Sequence, residues 1–312
     1  GAIMVGTIQM ENNLVASKYD GAEWLDMESP FAYNEGEVLV NEPATEFGHF
    51  IELNEFQTVI VKVVNRMLFS SKELIKKYLI RLGMDFSEKE LSKELKNLSM
   101  NHYLCKKSFM NEDGSKSCLK VYTLGRKGKG FLKHNGKRVN LDGYVLNRTA
   151  SQVKKILVAN QAMLELAKMD QNMYFETSKM LLANHNYNCG NKLFRALGYM
   201  NHSKEGKSYI IQPVRNEQDN VDELLDKLYR MELVVRKCGT SGLKLADELT
   251  IVIVAENKVW MEYFENIIQK QHYAHLKIAV SYDRLLISDN VLENKLIPVK
   301  TASLLQKLLK IA

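Results

Sequence analysis

The chain has only four prolines and four cysteines in 312 residues, and no apolar run that approaches bilayer length. So little proline argues against long disordered or Pro-rich linkers. Its purest apolar stretch, Leu249 to Ala255, is far short of the roughly 20 residues a membrane-spanning helix needs, so no membrane partner is expected. The cysteines (Cys105, Cys118, Cys189 and Cys238) show no C-x-x-C spacing and are too few for a disulfide framework, which points to a reducing, cytoplasmic setting. The opening Gly1-Ala2-Ile3-Met4 has no basic stretch leading into an apolar one and does not read as a signal peptide.

Catalytic signatures are missing as well. Gly125-Arg126-Lys127-Gly128-Lys129-Gly130 is glycine- and lysine-rich, but Phe131 follows where a phosphate-cradling P-loop would close with Gly-Lys-Ser/Thr. No two histidines stand in the His-x-His spacing of a metal-dependent nicking enzyme, and there is no G-x-S-x-G nucleophile elbow. His272 and His275 are three apart, with no cysteine or carboxylate beside them in sequence, and read as structural. The expectation is a non-enzyme without metal or other cofactor.

What is present is segregated charge. Residues 11 to 50 hold nine acids (Glu11, Asp20, Glu23, Asp26, Glu28, Glu35, Glu37, Glu42 and Glu46) against one base, Lys18. The remainder then carries 42 bases against 28 acids, a net +14 hidden under the overall +6. Such a split predicts a basic body suited to a polyanion, preceded by an acidic arm that screens it, meets another partner or is simply solvated.

Punctuation by Gly21, Pro30, Gly36, Pro43 and Gly48 makes residues 1–50 an irregular arm, with a short strand at Val38 to Val40. From residue 51 the period turns helical. Phe56, Val59, Ile60, Val63 and Met67 mark one helix face; Ser70 or Ser71 caps a second helix with Leu74, Ile75, Tyr78, Leu79 and Leu82 inward, stopped by Gly83. Ser87-Glu88-Lys89-Glu90 is a capping box opening a third helix on Leu91, Leu95 and Leu98. Tyr103 to Met110 and Ser117 to Thr123 then read as strands joined across Asp113-Gly114. Three helices and a hairpin in this order predict a winged helix-turn-helix over residues 51–140.

Residues 141–312 alternate differently. A helix from Ser151 (Val153, Ile156, Leu157, Met163, Leu164, Leu166) precedes a hairpin of Phe194 to Met200 with Ser208 to Val214. Helix Val221 to Met231, buried strand Leu249 to Ala255, helix Lys258 to Gln269, strand Leu276 to Val280, a short segment at Leu285 to Ile287 and a closing helix Thr301 to Ile311 follow. Strand–helix–strand order implies a partly parallel sheet, so the whole chain is classed α+β, its second domain serving a protein partner or dimerisation.

Double-stranded DNA is the expected partner of residues 51–140. Asn101 to Asn140 contains ten bases (Lys106, Lys107, Lys116, Lys120, Arg126, Lys127, Lys129, Lys133, Lys137 and Arg138) against Glu112 and Asp113. That density suits phosphate neutralisation and counterion release. On the third helix Lys89, Lys93 and Lys96 face outward, with Asn97 the candidate for adenine readout. Lysines on one helix face are ordinarily just solvated, and Glu88, Glu90 and Glu94 dilute their field, so the hairpin and the loop after it carry more of the expectation. Gly125, Gly128 and Gly130 either let that loop approach phosphate or shape a turn before Phe131.

The rival reading is a Mg-dependent nuclease in which Glu256-Asn257-Lys258 supplies an E-x-K metal set together with Asp247 or Glu248. Carboxylates at the two ends of one strand lie ~20 Å apart at about 3.3 Å per residue, too far to share an ion, and Glu256 fits a helix N-terminus equally well. A third reading, a protein-interaction scaffold, has the helical domain contact protein.

Tyr122-Thr123-Leu124-Gly125 followed by Gly130-Phe131-Leu132, and Ile251 to Asn257 followed by its helix, resemble segments of the replication-relaxation family of plasmid and conjugative-element proteins. That resemblance, over about residues 55–290, implies a winged helix followed by a degenerate nuclease-like α/β domain. It also implies an accessory or regulatory role in plasmid replication, conjugative transfer or transcription. The strand Tyr209 to Val214 departs from it, offering no acid where a nuclease would place its metal ligands.

Overall fold

In a computed structural model the chain is a mixed α+β protein of two compact units. The residues described are 25, 27–43, 52–141, 148–168, 170–182, 193–202, 204–217, 220–240, 245, 248–288 and 295–300. The closing helix expected at Thr301 to Ile311 lies outside them, as do Cys189 and Asp247. One unit takes in residues 33–160; the other takes in residues 10–32 and 161–312, so the division falls inside the helix Ala150–Ala167.

In the first unit, strand β1 (Val38–Asn41) precedes helices α1 (Glu55–Met67), α2 (Lys72–Arg81) and α3 (Glu88–Met100), then strands β2 (Leu104–Met110) and β3 (Lys116–Leu124) and helix α4 (Arg126–His134). Each of the first three helices starts on a side chain that takes an orphan backbone N–H: Asn54 from Gln57, Ser71 from Leu74 and Ser87 from Glu90. The boxes at Asn54 and Ser87 are reciprocal, Gln57 and Glu90 reaching back to the cap amides. Gly83 adopts φ +76° after α2, a left-handed turn that glycine enters at no steric cost.

β2 and β3 are antiparallel around Asn111 to Ser115, with Gly114 at φ +85°. On the far edge of β2 lies β1, also antiparallel, and on the far edge of β3 the Ser70 backbone forms a single bridge with Tyr122. Ile60, Val61, Val64, Leu74, Ile75, Leu79, Leu91, Leu98, Phe109 and Val121 fill the core between helices and sheet. The fully packed Ile60, Ile75 and Leu79 each contribute about 1.5–3 kcal/mol by leaving water. Lys154, in helix α5 (Ala150–Ala167), is buried with Glu37 at 2.7 Å and stands over the Phe109 ring.

The second unit is built on a six-stranded sheet in the order β4-β5-β6-β7-β8-β9: Tyr174–Leu182, Leu193–His202, Lys207–Pro213, Glu248–Ala255, Lys277–Tyr282 and Ile297–Pro298. β4, β5 and β6 run antiparallel, β6, β7 and β8 parallel, and β9 antiparallel again. Helices α6 (Asn220–Cys238) and α7 (Lys258–Gln269) make the two parallel crossovers, and a short helix α8 (Asp283–Leu286) follows β8. Leu224, Leu228 and Met231 of α6 and Met261, Phe264 and Ile268 of α7 share one core with Ile251, Ile253, Ile278 and Val280.

Two expectations change here. Residues 126–134 form α4 rather than a loop, because Arg-Lys-Gly-Lys-Gly-Phe-Leu-Lys-His places Gly128 and Leu132 one turn apart on a buried face. Cys238 is disulfide-bonded, although Cys105 and Cys118 are free. Short-range spacing rules give no sign of such a bond. No described helix is long and apolar enough to cross a membrane.

Candidate functional site

The third helix settles what its acids do. Leu91, Leu95 and Leu98 point into the core, and the three lysines Lys89, Lys93 and Lys96, all exposed, fall within about 60° of arc on the outer side. Glu88, Glu90 and Glu94 are each turned onto another element or the cap. Glu88 pairs with Lys72 (3.3 Å) and Lys76 of α2, and the Lys76 ammonium, with Lys72, holds its carboxylate below the ordinary range. Glu90 accepts from the Ser87 amide, and Glu94 accepts from the Gln57 side chain of α1. Two cations thus offset Glu88, whereas Glu90 and Glu94, bonded to neutral donors, keep their charge and still dilute the field of the outward lysines. Half-buried Asn97 sits past Lys93 on the same outer side, its carbonyl accepting from Asn101.

Beside this helix lies a cleft of about 850 Å³, lined by α3 (Ser92, Leu95, Lys96), by β2 (Leu104, Lys106) and by Arg126 at the start of α4. Lys72 also reaches it, and Glu42 contributes its one carboxylate. Apolar side chains form part of its lining, and besides Lys72, which is paired with Glu88, three cations from three further elements meet there: Lys96, Lys106 and Arg126. His102, Lys72 and Tyr122 belong to the same wall. Burial among the hairpin's neighbours pushes the Tyr122 phenol up to about 12, so it stays neutral.

α4 enters this wall backwards with respect to its own dipole. No acid stands in its first turn, which instead carries Arg126, Lys127 and Lys129, with no side-chain cap at Gly125. The glycines explain how it fits. A Cβ on Gly125 would stand 2.2 Å from the His102 carbonyl oxygen, and one on Gly128 2.2 Å from that of Tyr103. Both positions are glycine because α4 lies directly on backbone, whereas Gly130 faces open space. Close packing of α4 on the turn before β2 is thus a further reason for glycine at 125 and 128, beside the phosphate approach and turn formation expected of them.

The hairpin lysines are not all available. Successive residues of a strand point to opposite faces, so β1 and the residue after it reach both sides of β2. Asn41 lies opposite Lys107 and accepts from its ammonium at 2.5 Å. On the other face Glu42 accepts from Lys120 at 3.0 Å, from Lys116 at 3.4 Å and from the Ser108 hydroxyl. The Ser108 hydroxyl first, then Lys120, pull the Glu42 carboxyl down to about 2. Of the eleven candidate residues, Lys96, Lys106 and Arg126 share the cleft, Lys89, Lys93 and Asn97 share the outer helix face, and Lys107, Lys116 and Lys120 are engaged by β1 and Glu42. Lys127 and Lys129 are half-buried on α4.

The rival carboxylates go elsewhere. Glu256 is buried and accepts from the Asn216 amide at 2.9 Å, while Glu248, at the opposite end of β7, pairs with Lys277 at 2.7 Å. At the C-terminal edge of the parallel strands, Asp283 is held bidentately by Arg215 (2.7 and 2.8 Å) and accepts from Ser29. The same Arg215 donates to the Phe31 carbonyl, and Arg284 to those of Met27 and Glu28, so residues 27–31 are bound to this edge. His275 does have a carboxylate partner, which sequence neighbours could not reveal: Glu232 of α6, at 2.8 Å. Among the described residues no three His, Cys, Asp or Glu side chains are placed to hold a metal ion.

The chain matches no protein-family model and no curated protein.

Proposed function

We propose that the protein binds double-stranded DNA without acting as an enzyme, and that residues 51–140 do so as a winged helix. Element order supports the name: helix, bridge at Ser70, two helices, then a hairpin. In this reading α3 lies in the major groove, with Lys89 and Lys93 toward flanking phosphates and Asn97 toward a base edge. The single observation that carries it is the cleft where Lys96, Lys106 and Arg126 converge from α3, the hairpin and α4. Cations from separate elements meeting on one concave wall match the track of one sugar-phosphate strand better than a scattered solvated surface does. A nuclease finds less support, since Glu256, Asp283 and Glu248 are each committed to other contacts. The resemblance to replication-relaxation proteins fits an accessory or regulatory role on a plasmid or conjugative element, in the cytoplasm. The second unit then serves a protein partner or a second copy.

The test is fluorescence anisotropy of the full chain on a labelled random duplex across salt. Micromolar binding that weakens linearly in log salt is expected. Reversing Lys96, Lys106 and Arg126 together should cut the slope by about 3, near 0.9 for each phosphate no longer neutralised. Asn97→Ala should narrow the gap between preferred and random sequences while leaving the slope alone. No binding to any duplex at 50 mM salt, about the low end of the informative range, overturns the proposal.

A further inference from the structure

The contacts of Glu42 define more than a surface ion pair. Ser108 is fully buried and sits on the face of β2 that also carries Lys106, directly across from Lys120 of β3. Its hydroxyl and the ammonium groups of Lys116 and Lys120 converge on one oxygen, Oε1 of Glu42, while Lys120 also donates to the Ser108 oxygen at 2.8 Å. Two flexible cations aimed by a rigid hydroxyl on a hairpin form a receptor for a single anionic oxygen. Glu42 is the one carboxylate lining the cleft where Lys96, Lys106 and Arg126 meet; Ser108, Lys116 and Lys120 lie outside that lining, so the cluster adjoins the wall assigned above to a DNA strand through Glu42 itself.

Glu42 reaches this position because β1 is zipped to β2 from Val38 to Asn41, and its own amide continues the ladder to the Lys106 carbonyl at 2.8 Å. The acid-rich segment of the chain thus lays one carboxylate where a phosphodiester oxygen would otherwise fit. Resting on the DNA reading, we propose that Ser108, Lys116 and Lys120 form a phosphate site, and that Glu42 is its resident occupant, displaced when duplex DNA docks. The acidic segment then sets a threshold: binding must exchange a tethered carboxylate for a phosphate, which lowers affinity for every sequence alike and leaves base discrimination to α3. Because both states of the site hold an anion, the cluster stays neutralised whether or not DNA is present.

Anisotropy on a random duplex with the full chain tests this. Glu42→Gln should bind about 5-fold tighter at 0.1 M salt, with a slope steeper by about 1, as the carboxylate no longer competes with one phosphate. Lys120→Gln added to it should abolish that gain. Glu42→Asp, which keeps the charge but shortens the reach, should fall between. Should Glu42→Gln unfold, by circular dichroism, the Lys116→Gln/Lys120→Gln double variant replaces it, and it should weaken binding about 5-fold. Unchanged or weaker DNA binding by a folded Glu42→Gln, or unchanged binding by the double lysine variant, overturns the inference while the parent protein's binding leaves the DNA reading standing. Failure of parent and variants alike to bind removes both.

Discussion

Two glycines on one helix make opposite predictions. In α4, Gly128 is buried with its missing Cβ 2.2 Å from the Tyr103 carbonyl oxygen and 3.3 Å from a Leu124 methyl, while Gly130, half a turn on, has nothing within 4 Å. For Gly128→Ala the helix must retreat by roughly 1 Å, because a backbone oxygen cannot rotate aside, and overpacking against backbone falls in the upper part of the usual range, about 2–3 kcal/mol. Alanine returns about 1 kcal/mol of helix propensity, leaving the variant about 1–2 kcal/mol less stable. Gly130→Ala meets no obstacle and should stabilise by about 0.5–1 kcal/mol. Urea unfolding followed by circular dichroism should therefore separate the two midpoints by about 1 M at an m-value of 1–3 kcal/mol/M. Hydrogen exchange over residues 126–134 locates the change in α4. A Gly128→Ala protein as stable as the parent, or a Gly130→Ala protein that is less so, refutes the packing argument. Since the same helix carries Arg126, Gly128→Ala should also weaken DNA binding with no change of charge.

Asp283→Ala leaves Arg215 buried without its anion and should cost about 3–5 kcal/mol, seen as a lowered thermal midpoint with no effect on the salt slope of DNA binding; a loss under 1 kcal/mol contradicts it. For Glu42, the folded-state pKa lies near 2 against an ordinary 4.5. A depressed carboxyl contributes stability above its unfolded value and loses it as pH falls through the folded one, so β1 should stay docked at pH 5 and release between about pH 4 and 2. Carboxyl NMR titration of Glu42 with a midpoint near 4.5 would show that the clamp is not formed.

Most of the first unit was legible because its signals are local. Ser71, Ser87 and Gly83 punctuate helices through short-range hydrogen bonds and backbone sterics, and Asp113-Gly114 fixes the hairpin register. What escaped depends on distant partners. The strand Tyr174–Leu182 went unpredicted, its sequence Tyr-Phe-Glu-Thr-Ser-Lys-Met-Leu-Leu interrupted by Ser178 at φ +57°, although its aromatic start was a usable hint. α6 runs to Cys238, seven residues beyond the predicted end at Met231, since Val234 and Val235 continue its buried face. In the site, charge counting found the lysines of α3 and the hairpin, yet it counted Glu42 as one of nine equivalent acids. No spacing rule places residue 42 beside residues 108, 116 and 120, because strand pairing across sixty-odd residues of intervening chain does so. Similarly, Lys72 and His102 join the cleft only through tertiary packing.

The segment at residues 27–31 has a practical consequence for dissecting the protein. Its carbonyls at Met27, Glu28 and Phe31 serve two guanidinium groups that lie nearly two hundred residues or more downstream. A truncated chain starting at residue 141, the boundary that composition suggests, would strand Arg215 and Arg284 with unmet donors and remove the buried Phe31. Such a fragment should be recovered as aggregate, and supplying residues 25–32, fused or as a peptide, should restore it to solution.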